Sequence, residues 1–246
     1  MTAITSTIQT KKEYTPVEWS GLYKLGAVTS LLILCTAVLE ILITFLPGGY
    51  ASAETVVDWF NLLHDNWFLG LRNLGLLNIV MIALGTPMFF ALCMTHRKVN
   101  PNYSVLAMII SFVGDAVFYA TNRAFSMLDL SVQYATASTT AQRAILEAAG
   151  QALLAVGQSH TPGTFLGFCL GEIAGILISF VMLRAGIFSK RTAYAGILGF
   201  GMLFVYEICQ SFVPGSASFA LIFAMIGGIL NLVWYGLISH RFFKMA

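Results

Sequence analysis

Four carboxylates interrupt stretches that otherwise read as lipid-buried helix: Glu40, Asp115, Glu172 and Glu207. A charge at membrane depth costs roughly 2.5–3.5 kcal/mol on insertion scales, so such groups face the protein interior, find partners, and serve as proton relays or cation sites. Arg72, Arg123 and the amides Asn73, Asn78, Asn122 and Gln210 fall in or beside the same stretches. The chemistry open to this set is proton or cation binding, with the arginines tuning the acids or holding an anionic group. Asp115 and Glu172 lie deepest and are the first candidates. Glu207, Glu40, Arg72, Arg123 and Asn78 complete the candidate ion- or ligand-binding set. The competing reading is structural: each arginine neutralises one acid, the others are protonated, and the set fixes helix register.

Other chemistries lack their residues. The chain has no phosphate-binding Gly-rich loop, no H-E-x-x-H and no G-x-S-x-G, and its last apolar segment has no lysine for a retinal Schiff base. No catalytic residue, metal site or cofactor is expected. His64 and His160 fall on connectors, where they read as solvated side chains rather than metal ligands. Cys35, Cys93, Cys169 and Cys209 all lie in apolar segments without a C-x-x-C pair, as small packing residues rather than a disulfide framework.

The elements that must position these groups follow from composition. Of 246 residues, 58% are hydrophobic and 10% charged, far below the roughly 25% charge of soluble domains. The chain is therefore expected to be all-α and polytopic, one domain of six transmembrane helices at about 22–46, 67–94, 104–125, 162–183, 193–213 and 219–240. The segment 1–21 and the tail 241–246 flank it. The first apolar run is too long for a signal-peptide core, contains Glu40 and lacks a cleavage pattern, so it reads as a retained span.

Ten of the 13 basic residues lie on one side of this arrangement: Lys11, Lys12, Lys24, Arg97, Lys98, Arg184, Lys190, Arg191, Arg241 and Lys244. The positive-inside rule makes that side cytoplasmic and both termini with it. The acids then sit between the midplane and the outer face, and the cytoplasmic half reads as nearly pure hydrocarbon. On the outer side the connector 126–161 is long. Its stretch 141–156 carries Ile145, Ala149 and Leu153 at helical spacing, and Thr139 with Gln142 forms a capping box. This predicts an amphipathic extracytoplasmic helix, lying at the interface or covering the bundle as a lid.

Two further features concern packing. Gly167, Gly171 and Gly175 form a small-residue seam that lets a helix approach closely, from within the chain or from a homo-oligomer or membrane partner. Pro87 is expected to kink the second span, and no paired broken helices of the transporter kind are evident. The lipid bilayer is the expected surrounding, and a net charge of +2 gives no reason to expect nucleic acid.

The stretches Leu130-Ser131-Val132-Gln133-Tyr134-Ala135, Thr139-Thr140-Ala141-Gln142-Arg143-Ala144 and Glu147-Ala148-Ala149-Gly150-Gln151 are accompanied by Val181-Met182-Leu183-Arg184 and Ile187-Phe188-Ser189-Lys190-Arg191-Thr192. Together they resemble an uncharacterised family of bacterial multi-pass membrane proteins known only as a domain of unknown function. The resemblance spans most of the chain from the second span onward. It implies a helical protein of the bacterial inner membrane and makes the long connector a recurring element. It brings no activity, substrate or site residue. Three classes stay open: a small transporter or ion/ligand-binding protein with an acidic site in the outer half, a structural or accessory subunit of a membrane complex, and an intramembrane enzyme acting on a lipid, the least supported.

Overall fold

The computed structural model describes residues 19–45 and 53–246. The segments 1–18, with Lys11 and Lys12, and 46–52 lie outside the described residues. Among the described residues ten helices follow one another: α1 Ser20–Phe45, α2 Val56–Asp65, α3 Trp67–Asn73, α4 Leu76–His96, α5 Pro101–Thr121, α6 Ala124–Thr136, α7 Thr140–Gly157, α8 Phe165–Ala185, α9 Lys190–Phe212 and α10 Ala217–Met245. Among the described residues there is no strand.

Six of these helices, α1, α4, α5, α8, α9 and α10, are long and apolar enough to cross a membrane. Even the 21-residue members rise about 31 Å, the thickness of a hydrocarbon core. Their outward faces carry large apolar side chains such as Leu42, Ile109, Val113, Ile222 and Ile229, which suits lipid rather than water. The six form a closed ring in chain order, with α10 returning to α1. Ser239 Oγ of α10 donates to the Ala27 carbonyl of α1 at 2.9 Å, and Gly26 lets Ala91 and Phe242 close on the same place. Ile33, Leu92, Ile178, Met182, Trp234 and Ile238 fill the ring's interior.

The other four helices make a cap at one end of the ring. Trp59, Phe60 and Leu63 of α2 pack with Leu71 of α3 and Met127 of α6 in a second apolar core. Ser131 Oγ ties α6 to the Phe60 carbonyl at 2.7 Å. The opposite end brings the start of α1 to the end of α10, where Ser20 Oγ donates to the Ala246 carbonyl at 2.7 Å. Among the described residues this second end holds Lys24, Arg97, Lys98, Arg184, Lys190, Arg191, Arg241 and Lys244 and no acid.

Several expected boundaries need correction. The run 67–94 is not one helix: Gly75 adopts the left-handed backbone (φ 95) and separates α3 from α4. The third span ends at Thr121 because Asn122 is extended, and the chain restarts as α6. The connector 126–161 is thus largely helical. The two breaks are joined, since Asn122 Nδ2 donates to the Leu74 carbonyl at 2.9 Å. Paired interruptions therefore exist, at the junction of ring and cap. Pro87 lies inside α4, which stays helical through it. The basic half is also not pure hydrocarbon: Ser30, His96, Ser104, Ser179 and Ser239 are buried there. Ser30 Oγ and His96 Nδ1 each bond a carbonyl of their own helix, whereas His96 Nε2 and Ser179 Oγ are buried without a hydrogen-bond partner among the described residues.

The helix expected at 141–156 is α7, with the Thr139/Gln142 capping box in place. Its packed face keeps Leu153 of the apolar stripe, which lies on the cap core, but not Ile145. Ile145 is 70% exposed, whereas Gly150 lies against Val56 and Phe60, and Gly157 against the Arg123 stem. Close approach at two glycines seven residues apart decides which face is buried.

Candidate functional site

A cavity of 280 Å³ lies inside the ring and takes lining residues from all six spanning helices, among them Ala37, Asn78, Asp115, Glu172, Leu203 and Asn231. Gly85, Gly171 and Gly228 border it, and a Cβ at any of them would meet nothing within 4 Å. Missing side chains on three helices thus create the space. Phe89, Phe168, Phe200 and Tyr235 supply aromatic walls.

The glycine seam explains how the acids reach this chamber. Gly114 of α5 lies against Leu170 and the backbone of Gly167 and Gly171, while Gly167 lies against Phe118. This close α5–α8 crossing brings Asp115 and Glu172 into one lining. Gly175 makes room for the Phe200 ring of α9. The three seam glycines are thus taken up by the chain's own helices and by the chamber.

Asp115 Oδ2 accepts from Thr86 Oγ1 at 2.9 Å. Glu172 is only 7% exposed, and its Oε2 has no hydrogen-bond partner. Asn231 Oδ1 on α10 is likewise buried without a partner. Among the described residues, neither acid has an arginine, lysine or histidine within ion-pair distance. A buried carboxylate left so is costly unless it holds a proton or a cation.

The other two acids are paired, toward the cap. Glu40 Oε1 meets Arg72 Nη2 at 2.8 Å, and Arg72 also donates to the Glu40 carbonyl, to Thr44 Oγ1 and to Asn73 Oδ1. Glu207, 1% exposed, pairs through Oε1 with His160 Nδ1. His160 has a left-handed backbone (φ 58), rare outside glycine. Its ring stacks on Phe168 at 4.7 Å and meets Tyr206 edge-on at 5.2 Å. The turn that presents it is tied by Thr161 Oγ1 and Thr164 Oγ1, both donating to the Gln158 carbonyl. His160 also lies within electrostatic reach of Glu40, and Glu207 within reach of Glu172. The two pairs therefore form an ionic layer between chamber and cap.

Of the seven expected site residues, Asp115, Glu172 and Asn78 share the chamber, and Glu40, Arg72 and Glu207 build the layer above it. Arg123 belongs to neither: it precedes α6, its stem runs along Gly157, and among the described residues it makes no ion pair. The expectation of a solvated His160 is corrected, because the strained turn drives its ring between α8 and α9. Thr86, Asn231 and Tyr235 were not anticipated. Asn231 carried a readable signal, a lone amide in the last apolar run, whereas Thr86 and Tyr235 are ordinary residues that only the ring closure brings to the cavity. Among the described residues, no three His, Cys, Asp or Glu side chains gather as metal donors.

Comparison of the chain with protein-family models, with curated proteins and with solved structures found no match.

Proposed function

We propose that this is a multi-pass membrane protein that binds a small cation, a proton included, in the central chamber, and that moving this cation is its activity. What carries the reading is the buried, unpartnered Glu172 carboxylate oxygen in a cavity that all six spanning helices line. At about 30 Å³ per water, the cavity has room for roughly nine waters, enough for a hydrated ion or a small amine. Asp115 and Glu172 hold the charge, Asn78 and Asn231 offer amide oxygens, and the ionic layer closes the capped side. The concentration of basic residues at the opposite end supports a cytoplasmic location for both termini and an extracytoplasmic cap, with the bacterial inner membrane as the setting.

The structural or accessory reading accounts well for Glu40 and Glu207, which have partners in Arg72 and His160. It leaves Asp115 and Glu172 without a role, which is why the cation reading is preferred. No group in the chamber is assigned as a nucleophile or catalytic base.

The test is a current measurement on protein reconstituted in liposomes, after a proton jump and after a sodium jump, with Asp115→Asn and Glu172→Gln compared once each is shown to be folded. A wild-type current that either variant loses supports the reading. A wild type that passes neither ion, and whose thermal unfolding is indifferent to sodium and to methylammonium, sinks it.

A further inference from the structure

At the basic end, away from the chamber, a second cavity of 520 Å³ lies between the start of α9 and the end of α10. Lys190, Arg191, His240, Arg241 and Lys244 line it, and among the described residues no acid does. The cations are placed by structure rather than scattered. Arg241 Nε is held by the Ile187 carbonyl at 2.9 Å, and Ser189 Oγ caps α9 by accepting from the Thr192 amide at 3.1 Å. That cap leaves the first-turn amides of Lys190 and Arg191 without intrahelical acceptors, and they add the positive end of a 23-residue helix to the same place. Leu237 lines the apolar side. Leading away along the spans, Tyr194 and Leu198 of α9 and Val233 of α10 are large and exposed. Cations at a helix end beside an exposed apolar face match a molecule that is anionic at its head and hydrocarbon at its tail.

We infer that this pocket binds the phosphate headgroup of an anionic phospholipid, with its acyl chains lying along α9 and α10. A free phosphate would satisfy the cations but not the apolar faces, so the lipid is the better match. Phosphate oxygens would accept from Lys190, Arg191 and Lys244, as basic pockets between membrane helices do. The inference does not depend on what the chamber binds.

The test uses the full chain in mild detergent, stripped of lipid and titrated with phosphatidylglycerol or phosphatidylcholine under native mass spectrometry. The wild type is expected to retain phosphatidylglycerol preferentially. Each of Lys190→Gln and Lys244→Gln should weaken retention about fivefold, and the triple change with Arg191→Gln on the order of 100-fold. A charge-matched triple, Lys24→Gln with Lys98→Gln and Arg184→Gln, removes three cations from the same end outside the pocket and should retain the lipid. If the pocket triple does not fold, the two single variants carry the test. Equal retention by wild type and pocket variants would give the cations to another anion, Glu13 or Glu18 included, and overturn the proposal. So would equal loss in both triples. Stabilisation by inorganic phosphate as strong as by the lipid, absent in the pocket variants, would make it a free-anion site and overturn the lipid assignment.

Discussion

His160 Nδ1 meets Glu207 Oε1 across 47 positions of sequence, and it does so from a left-handed backbone. The contact pins the turn before α8 to the last two turns of α9 and gives the buried Glu207 its partner. Without that partner a carboxylate 1% exposed is left unmatched, at a cost of about 2 kcal/mol for a charge-assisted bond. His160→Ala should therefore lower the thermal midpoint in detergent by several degrees. His160→Asn, which tolerates the left-handed backbone, should do less harm than His160→Val, which is β-branched. A midpoint unchanged in all three variants would remove the pair from the architecture.

The four acids divide into two groups with opposite expected responses. Arg72→Met strips the cation from Glu40 in a site where Arg72 is 6% exposed, and should cost about 3 kcal/mol. Restoring neutrality with Glu40→Gln should recover part of this in a double-mutant cycle. Glu172→Gln and Asp115→Asn replace carboxyls that face no cationic side chain among the described residues, so unfolding should show no loss of stability, while ion-dependent currents fall. Residues kept for function against stability behave in this way. A Glu172→Gln protein as damaged as Arg72→Met would show that the chamber acid is structural.

What the sequence disclosed and what it hid have physical reasons. Hydropathy alone located the spanning helices, because a bilayer demands about 20 apolar residues whatever the fold. The breaks at Gly75 and Asn122 were hidden inside apolar runs, since hydropathy does not report a single left-handed or extended residue. Asp115 and Glu172 were legible as a pair because their depth alone made them costly. Their company was not legible: Tyr235 reaches the chamber only because α10 closes on α1 and α9. Arg123 lies apart from the chamber for the converse reason, as a helix restarts at that point and its stem runs along Gly157 of α7. Ile145 likewise lost the buried face of α7 to Gly150, because close backbone approach outweighs one apolar side chain.

The cap offers a test against pH. At the start of α2, Asp58 Oδ2 accepts from the Thr55 amide at 2.8 Å and from Thr55 Oγ1 at 2.7 Å. These bonds, the side-chain one foremost, hold its pKa below the usual aspartate value. A lowered folded-state pKa contributes stability that is fully present above the unfolded value, about 3.9, and is lost as pH falls through the folded one. Amides in the first turn of α2 should therefore keep their hydrogen-exchange protection at neutral pH and lose it on acidification below that value, after correction for intrinsic rates. Asp58→Ala should lack the protection at neutral pH. Protection that persists in this variant would mean that the box does not hold the helix end.

Two glycines separate packing from function. A Cβ at Gly196 would run into Ser179 Oγ and the Trp234 indole nitrogen, both on neighbouring helices with Trp234 fully buried. Gly196→Ala should thus force the α9–α10 contact apart and cost about 1–3 kcal/mol, the usual penalty of overpacking. Gly171 borders the chamber, where a Cβ meets nothing within 4 Å. Gly171→Ala should fold as well as the wild type, or slightly better given the helix propensity of alanine, while taking volume from beside Glu172. Its expected signature is an unchanged or raised thermal midpoint with a reduced ion-dependent current. If Gly171→Ala and wild type pass the same current, the ion does not occupy the space beside Glu172, and the chamber loses its role in whatever the protein moves.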